Sequence, residues 1–299
     1  MPTFLVVGAR GRVGREVLNA LASKEGDVRA LVRQAGTLGE VPGRVKEVVG
    51  DLSDARSLAA ALEGVQSAFF LTPHTADEEA LGVGFIAAAR AAGVKRLVFS
   101  SATHPEVGNG LGLDLLVLMA SVFTHYGPKL KVERAVRRCE LSPVVLMPSN
   151  FFQNDELLFP EIRAGRYPQP LGHKGVNRVD CADIGVAAAR ALTDLSLPAG
   201  AWPLVGPEAA LTGPESAATW AKVLGRPMTY EGDLAQWHVL MKDRMHERER
   251  IDFGKSYGLF HRRRVSASPA QIAKCAEILG RSPRSYEDWV RSIAARVTA

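Results

Sequence analysis

Three glycines stand where an apolar run gives way to a helical pattern near the amino terminus. Gly8, Gly11 and Gly14 lie in the stretch VVGARGRVGREVL at regular spacing. The first glycine permits a tight turn, the second lets the backbone approach a pyrophosphate, and the third allows close packing of a helix on a sheet. The first turn of such a helix offers N–H groups and a positive dipole end to phosphates. The stretch therefore predicts a dinucleotide site.

Arginines indicate which dinucleotide is preferred. Sheets that bind NAD usually carry an acidic residue at the end of the second strand, about twenty residues after the glycines. In the stretch VRALVRQAG, Arg33 occupies that place, and its guanidinium can bind a ribose 2′-phosphate with two hydrogen bonds. Arg10 can reach the same phosphate from the glycine turn, and Arg12 lies nearer the pyrophosphate or in solvent. The pattern favours NADPH, with NADH as the weaker alternative.

The surrounding sequence alternates between strand and helix signals. Candidate strands cover residues 3–7, 28–32, 45–49, 68–71, 96–100 and 143–147. Between the first two, Val13, Val17 and Leu21 fall on one helical stripe, and Ser53 is a candidate cap for the second helix. Apolar strands joined by helices predict a doubly wound parallel sheet with right-handed crossovers, an α/β Rossmann fold.

The alternation weakens after residue 150, which predicts two domains. Residues 1–150 form the expected NAD(P)-binding Rossmann domain, and residues 151–299 a smaller, mainly helical substrate lobe. Within it, residues 176–206 are expected to return to the Rossmann sheet. Two helix starts are well marked, because Thr212 with Glu215 and Ser268 with Gln271 fit the capping-box spacing.

Composition excludes several classes of protein. The 299 residues carry a net charge of +5, but the arginines are spread along the chain, so a nucleic-acid partner is not expected and the HRRR run at 261–264 reads as solvated surface. No apolar run reaches the ~18 residues of a membrane span, and no signal peptide is evident, so we expect a cytoplasmic protein, a monomer or a homodimer. The three distant cysteines suggest neither disulfides nor a metal site.

Segments along nearly the whole chain resemble one family. The stretches LVVGARGRVGREVL, VVGDLSDARSLAAALEGV, AAGVKRLVFSSA, KLKVERAV, VVLMPSNFFQN and LTGPESAATWAKVLGRP occur in order. Together they resemble the NmrA-like family of atypical short-chain dehydrogenase/reductases. The resemblance implies a Rossmann domain with a substrate lobe. The family includes NADPH-dependent quinone reductases, flavin-independent azoreductases, phenylpropanoid reductases and cofactor sensors.

The resemblance also assigns cofactor-binding roles by position. The implied cofactor-binding residues are Gly8, Arg10, Gly11, Arg12, Val13 and Gly14 at the pyrophosphate, Arg33 at the adenosine phosphate, Asp51 and Leu52 along the adenine, Leu71, Thr72, Pro73, Ser100 and Ser101 beside the ribose and nicotinamide, and Pro148, Ser149, Asn150 and Phe151 over the nicotinamide. Lys129 matches the lysine that in related enzymes binds the nicotinamide ribose and helps to protonate substrate.

The expected proton donor departs from the common pattern. Short-chain reductases pair Tyr-x-x-x-Lys, whereas His125 stands four residues before Lys129. An imidazole can donate a proton near neutral pH, but an exposed histidine at a helix start without a catalytic role is an equal alternative. His104 opens a glycine-rich loop after the fifth strand and is a secondary, substrate-side candidate. Phe152 is a further candidate for an apolar substrate pocket.

These features predict an NADPH-dependent oxidoreductase. Hydride would pass directly to a small aromatic or conjugated acceptor, such as a quinone, azo, imine or enone, without flavin or metal. Lys129 would orient the ribose, and His125 or water would supply the proton. The alternative is a non-catalytic NADP(H) sensor that acts through a protein partner. An epimerase acting on nucleotide sugars is weaker because the Tyr-x-x-x-Lys pair is absent.

Overall fold

The fold is described from a computed structural model of the chain. It describes residues 1–42, 45–105, 107–123 and 126–298. Within these residues the chain divides into two compact units. Unit 1 comprises Met1–Pro148 and Cys181–Leu204, and unit 2 comprises Ser149–Asp180 and Val205–Ala299.

Strands and helices alternate through unit 1 as the sequence predicts, and helices dominate unit 2. The strands are β1 (Thr3–Val6), β2 (Asp27–Val32), β3 (Val45–Val49), β4 (Ser67–Phe70), β5 (Arg96–Ser100), β6 (Val144–Pro148), β7 (Asn150–Phe151), β8 (Arg166–Tyr167), β9 (Arg178–Val179), β10 (Gly200–Leu204) and β11 (Thr229–Tyr230). The helices are α1 (Arg12–Leu21), α2 (Ala55–Leu62), α3 (Glu78–Ala91), α4 (Leu111–Phe123), α5 (Gly127–Arg137), α6 (Phe159–Arg163), α7 (Cys181–Thr193), α8 (Gly213–Leu224), α9 (Leu234–Leu240), α10 (Glu247–Arg262), α11 (Pro269–Leu279) and α12 (Tyr286–Thr298). A 3₁₀ helix covers Phe152–Leu158.

Unit 1 contains a seven-stranded sheet in the order β10-β6-β5-β4-β1-β2-β3, and all of its neighbouring strands are parallel. The strand order reverses direction between β1 and β4, which is the place where doubly wound sheets bind ligands at the carboxyl ends of their strands. The prediction of a Rossmann-type α/β fold is confirmed.

Apolar side chains explain why these elements form. The inner strands β4, β5 and β6 are buried at every position, as expected for a parallel sheet covered on both faces. In α1, Val13, Val17 and Leu21 are buried on the predicted stripe. One detail is wrong: α2 is capped by Asp54, not Ser53. Ser53 instead donates its hydroxyl to Asp51, so it is already engaged.

Unit 2 has a separate aromatic core and two small parallel sheets. β7 pairs with β9, and β8 pairs with β11. The largest buried side chains of its core include Trp220, Trp237 and Tyr257. Both predicted capping boxes are present, at the starts of α8 and α11. The mainly helical carboxyl-terminal region is therefore confirmed.

Among the described residues, no helix is both long enough and apolar enough to cross a bilayer. In the same part of the chain, no group of three or more histidine, cysteine or acidic residues could hold a metal ion.

Candidate active site

The glycine turn between β1 and α1 has the backbone geometry that a pyrophosphate site needs. Gly8 has φ +78°, a left-handed conformation that favours glycine, and its carbonyl accepts a hydrogen bond of 2.9 Å from the Gly11 N–H. A Cβ on Gly14 would lie 2.2 Å from the Gly8 carbonyl oxygen, so only glycine lets the helix approach the turn this closely. A Cβ on Gly11 would meet only that oxygen, at 3.3 Å, and otherwise open space. A bare backbone cradle results.

The amino terminus of α1 is suited to an anion. Gly11 is the N-cap and offers no side-chain hydrogen bond to the first turn, and that turn contains no acidic residue. Arg10 and Arg12 are exposed beside it, whereas Val13 is buried under the helix. No side chain of the first turn therefore caps the N–H groups of α1 or offsets its positive dipole end. These residues fit a dinucleotide pyrophosphate.

Arg33 and Asp51 follow β2 and β3, which are neighbours in the sheet. Arg33 is exposed. Hydrogen bonds from the hydroxyl and N–H of Ser53 lower the pKa of Asp51, and the positive charge of Arg33 lowers it further. A cation and an ionised carboxylate therefore lie near each other at the carboxyl ends of these strands. Leu52 is half-buried beside Asp51.

Lys129 is buried in a polar cluster after β4. Its Nζ lies 2.8 Å from Glu78 Oε1, and it donates to the hydroxyl and the carbonyl of Thr72 at 3.2 and 3.4 Å. The Thr72 hydroxyl in turn donates to Glu78 at 2.6 Å. Lys129, Thr72 and Glu78 are each at most 6% exposed. The ammonium is thus held beside a carboxylate at the switch point, the place between β1 and β4 where the strand order reverses. Leu71 packs against Gly8 at the same place. Pro73 is exposed at the start of the loop that follows.

A second buried cluster follows β5. Ser100 and Ser101 are buried, and the Ser101 hydroxyl donates to Glu133 Oε2 at 2.5 Å. Glu133 also forms ion pairs with His104 at 3.0 Å and with Arg137 at 2.6 Å. The structure therefore places His104, a secondary candidate, in contact with α5, and it directs the Ser101 side chain to Glu133.

Pro148 ends β6 in unit 1, and unit 2 begins with the predicted segment 149–152. Ser149 is buried, and its hydroxyl has no hydrogen-bond partner among the described residues. Arg178 organises the rest of the segment, because it donates to the Asn150 side chain at 3.3 Å and to the Phe151 carbonyl at 3.1 Å. An orphaned buried hydroxyl next to these groups fits a segment that binds a polar ligand. Phe152 is fully buried in the aromatic core of unit 2, so the prediction that it lines a substrate pocket is not supported.

Asp155 holds Arg178 in place. Arg178 Nη2 lies 2.7 Å from Asp155 Oδ1, and both side chains are fully buried. The hydroxyls of Tyr167 and Tyr286 also donate to this carboxylate. Burial and the Asp155 charge raise the pKa of both phenols, so they remain neutral donors.

Two acidic residues of the site were not predicted from the sequence. Glu78 and Glu133 are the carboxylates that hold Lys129 and His104. The signal for Glu133 was its spacing, since Lys129, Glu133 and Arg137 recur every four residues on α5 and are all buried. Glu78 had no comparable signal because its partner lies 51 residues further along the chain. His125, the predicted proton donor, lies outside the described residues.

The fold and this site define a dinucleotide-binding α/β protein. The NmrA-like family matches residues 2–246, and the chain belongs to that family. The resemblance inferred from the sequence is confirmed.

Named relatives give the enzyme class. An NAD(P)H azoreductase of Xenophilus azovorans is 32% identical over 235 residues, 76% of either chain. A (4-alkanoyl-5-oxo-2,5-dihydrofuran-3-yl)methyl phosphate reductase of Streptomyces griseus is 32% identical over 292 residues, 96% of either chain. The structure of Citrobacter sp. triphenylmethane reductase, complexed with NADP(H), matches with a TM-score of 0.78 over 97% of this chain and 99% of its own, at 20% identity, and shows the same fold. These relatives are named as reductases, and the predicted enzyme class, an NAD(P)H-dependent reductase, is confirmed.

Proposed function

We propose that the chain is an NADPH-dependent reductase that transfers hydride directly to a flat, electron-poor acceptor, without flavin or metal. The observation that carries the proposal is the buried Lys129–Glu78 pair beside Thr72 at the switch point of the sheet. A buried lysine is costly unless it is paired, so such a pair at a ligand-binding edge points to function. The glycine turn of the same unit supplies the dinucleotide cradle.

Different residues of unit 1 bind different parts of NADPH. The turn from Gly8 to Gly14 and the first turn of α1 hold the pyrophosphate, and Arg33 with Arg10 holds the 2′-phosphate. When bound, NADPH supplies the hydride. Lys129 holds the nicotinamide ribose, and the ribose hydroxyls take over the two longer contacts that Lys129 now makes to Thr72. Glu78 fixes the ammonium throughout.

The segment 149–152 follows β6 directly. Ser149 offers an unused hydroxyl, and Arg178 fixes the Asn150 side chain and the Phe151 backbone. We propose that Pro148, Asn150 and Phe151 bind the nicotinamide end of the cofactor, as the family resemblance implies.

The names of the relatives support the acceptor class. One reduces azo compounds, and the other is named for a dihydrofuranone, in which a C=C bond is conjugated to a lactone carbonyl. Both acceptors are flat and electron-poor at the bond that receives hydride. A quinone shares these properties, so quinones, azo dyes and enones form the acceptor panel for this chain.

The decisive experiment follows NADPH absorbance while the panel is added to purified protein. We expect turnover with at least one acceptor. Because Lys129→Met alone would leave Glu78 buried without its partner, the variant to use is the double substitution Lys129→Met with Glu78→Gln. It should lower kcat/KM by roughly 100-fold or more.

Lys131→Met is the matched control. Lys131 lies on the same helix but pairs with Glu79, and it is 37% exposed, so its loss should leave turnover unchanged. Tight NADPH binding with no consumption across the panel would contradict the reductase and favour an NADP(H) sensor. Equal effects of the two lysine substitutions would contradict the role of Lys129.

A further inference from the structure

The imidazole of His104 lies between two oxygen acceptors. Its Nε2 lies 3.0 and 3.1 Å from the carboxylate oxygens of Glu133, and its Nδ1 lies 2.7 Å from the Pro105 carbonyl oxygen. A carboxylate and a carbonyl only accept hydrogen bonds, so both ring nitrogens must donate. Only the doubly protonated imidazolium can do so. The geometry therefore describes a positively charged histidine.

Of the two cations that contact Glu133, only His104 can release a proton. Glu133 is fully buried, and burial would raise its pKa, but hydrogen bonds from His104 and Ser101 and the charges of His104 and Arg137 lower it overall. The carboxylate thus carries one negative charge against the two positive charges of His104 and Arg137. A guanidinium does not give up its proton in proteins. The cluster therefore holds one positive charge in excess, and only His104 can release it.

Arg137 is fixed independently of His104. It donates to the Val107 carbonyl at 3.0 Å and approaches the Met147 sulfur at 3.5 Å, in addition to its ion pair with Glu133. The neutral form of His104 would still leave Glu133 with the Arg137 charge and the Ser101 hydroxyl. Loss of the His104 proton thus leaves no buried carboxylate without a partner.

His104 also lies at the carboxyl edge of the sheet, where the proposed function places the acceptor. It follows β5 directly, and the neighbouring Thr103 N–H donates to the carbonyl of Pro148 at the end of β6. On α5, Glu133 stands one turn after Lys129, and residues with this spacing have Cβ atoms about 5–6 Å apart. Lys129 and Glu133 therefore lie on the same face of α5, and Lys129 and His104 are each paired with a buried carboxylate.

We propose that His104 is the proton donor of the reductase, positioned by Glu133, in place of the tyrosine of the Tyr-x-x-x-Lys pattern. The inference rests on the proposed function. Hydride adds two electrons and one proton to the acceptor and leaves an anionic oxygen or nitrogen, while NADPH is oxidised to NADP⁺. The Nδ1–H group of His104 exchanges the Pro105 carbonyl oxygen for that atom, the N–H bond breaks, and the proton passes to the acceptor. The Nε2–H group stays hydrogen-bonded to Glu133, and one proton taken up from solvent then restores Nδ1–H.

Comparing two kinds of acceptor distinguishes proton donation by His104 from any other role of this residue. A quinone needs hydride and a proton, whereas a cationic triarylmethane dye becomes neutral on receiving hydride alone. We expect His104→Gln to lower kcat for the quinone roughly 100-fold and to leave kcat for the dye within about twofold.

His246→Gln is the control, because His246 is an exposed residue at the start of α10 that makes no side-chain cap. It should match the wild type with both acceptors. Equal loss with quinone and dye in His104→Gln, or full retention with the quinone, overturns the inference but not the reductase. A wild type that consumes NADPH with neither acceptor overturns the proposed function and the inference with it.

A measurement without cofactor or substrate tests the charge directly. Nitrogen NMR of the imidazoles should show both ring nitrogens of His104 protonated in the free protein at mildly acidic pH. A neutral His104 in the wild type under these conditions would overturn the inference.

Discussion

Arg33 sets the expected choice between NADPH and NADH at the scale of a single residue. Its guanidinium is exposed beside Asp51, whose lowered pKa keeps that carboxylate ionised at neutral pH. Each hydrogen bond to a charged group contributes about 1.5–3 kcal/mol, or roughly 10- to 150-fold in affinity. We expect Arg33→Ala to lower kcat/KM for NADPH by such a factor and to leave the value for NADH unchanged or raised, because Asp51 can then accept from a ribose hydroxyl.

The control for this prediction is Arg90→Ala. Arg90 is also exposed, but it lies in the last turn of α3, at the end remote from the carboxyl ends of the strands. Its removal should change kcat/KM for neither cofactor. A parallel loss for NADPH and NADH in Arg33→Ala would show that the residue binds no 2′-phosphate.

The sequence predicts candidate cofactor-binding residues, but it does not predict the carboxylates that pair with Lys129 and His104. Roles for Gly8, Gly11 and Arg33 can be predicted from the sequence, because those roles depend on local backbone geometry and spacing. Glu78 could not, since it meets Lys129 only after α3 and α5 have packed on the sheet. Glu133 was visible at helical spacing, but such a pattern usually indicates solvated ion pairs on a helix surface. Burial converts it into part of the site.

Element boundaries were predictable where hydrophobic period and turn residues agree. β3 and β5 coincide with their predicted strands, and Gly64 and Gly93 have the left-handed φ expected after α2 and α3. The cap of α2 was predicted one residue early, because Ser53 and Asp54 are both good capping residues. Ser53 donates its hydroxyl to Asp51, which leaves Asp54 as the cap. Capping preferences of residue types cannot predict this contact.

The short elements of unit 2 depend on one buried ion pair. Arg178 in β9 holds β7 and the 3₁₀ helix through backbone carbonyls, and Asp155 neutralises it. We expect Asp155→Asn to lower the free energy of unfolding by about 3–5 kcal/mol, because it leaves a buried guanidinium without a counterion. Denaturant unfolding followed by tryptophan fluorescence measures this, since Trp220, Trp237 and Trp289 all lie in the core of unit 2.

Glu156→Gln provides the comparison in the same 3₁₀ helix. Its carboxylate pairs with Arg296, which is 60% exposed, and surface pairs of this kind contribute about 0–1 kcal/mol. Similar losses for the two substitutions would contradict a special role for the Asp155–Arg178 pair.

The stability of the whole molecule depends on pH through carboxyl groups in both units. Burial would raise the pKa of Glu133 and of Glu161, but their charged partners, His104 with Arg137 and Arg244, lower both. A lowered pKa in the folded state adds stability above the ordinary value of 4.5, and this is lost as pH falls through the folded pKa. These groups predict weaker folding in acid.

Glu208 works in the opposite direction. Burial raises its pKa above the ordinary 4.5, and its Oε2 has no hydrogen-bond partner among the described residues, whereas Oε1 accepts from the Tyr286 N–H at 3.1 Å. Ionisation is therefore easier in the unfolded chain, and the resulting loss of stability develops as pH rises from 4.5 through the folded pKa. We expect Glu208→Gln to raise Tm at pH 7, because the amide oxygen still accepts from Tyr286 without a charge. At pH 4, where the carboxyl is mostly protonated in both states, the gain should nearly vanish. Thermal unfolding at both pH values measures this, and an equal gain at both would show that packing, not ionisation, is the cause.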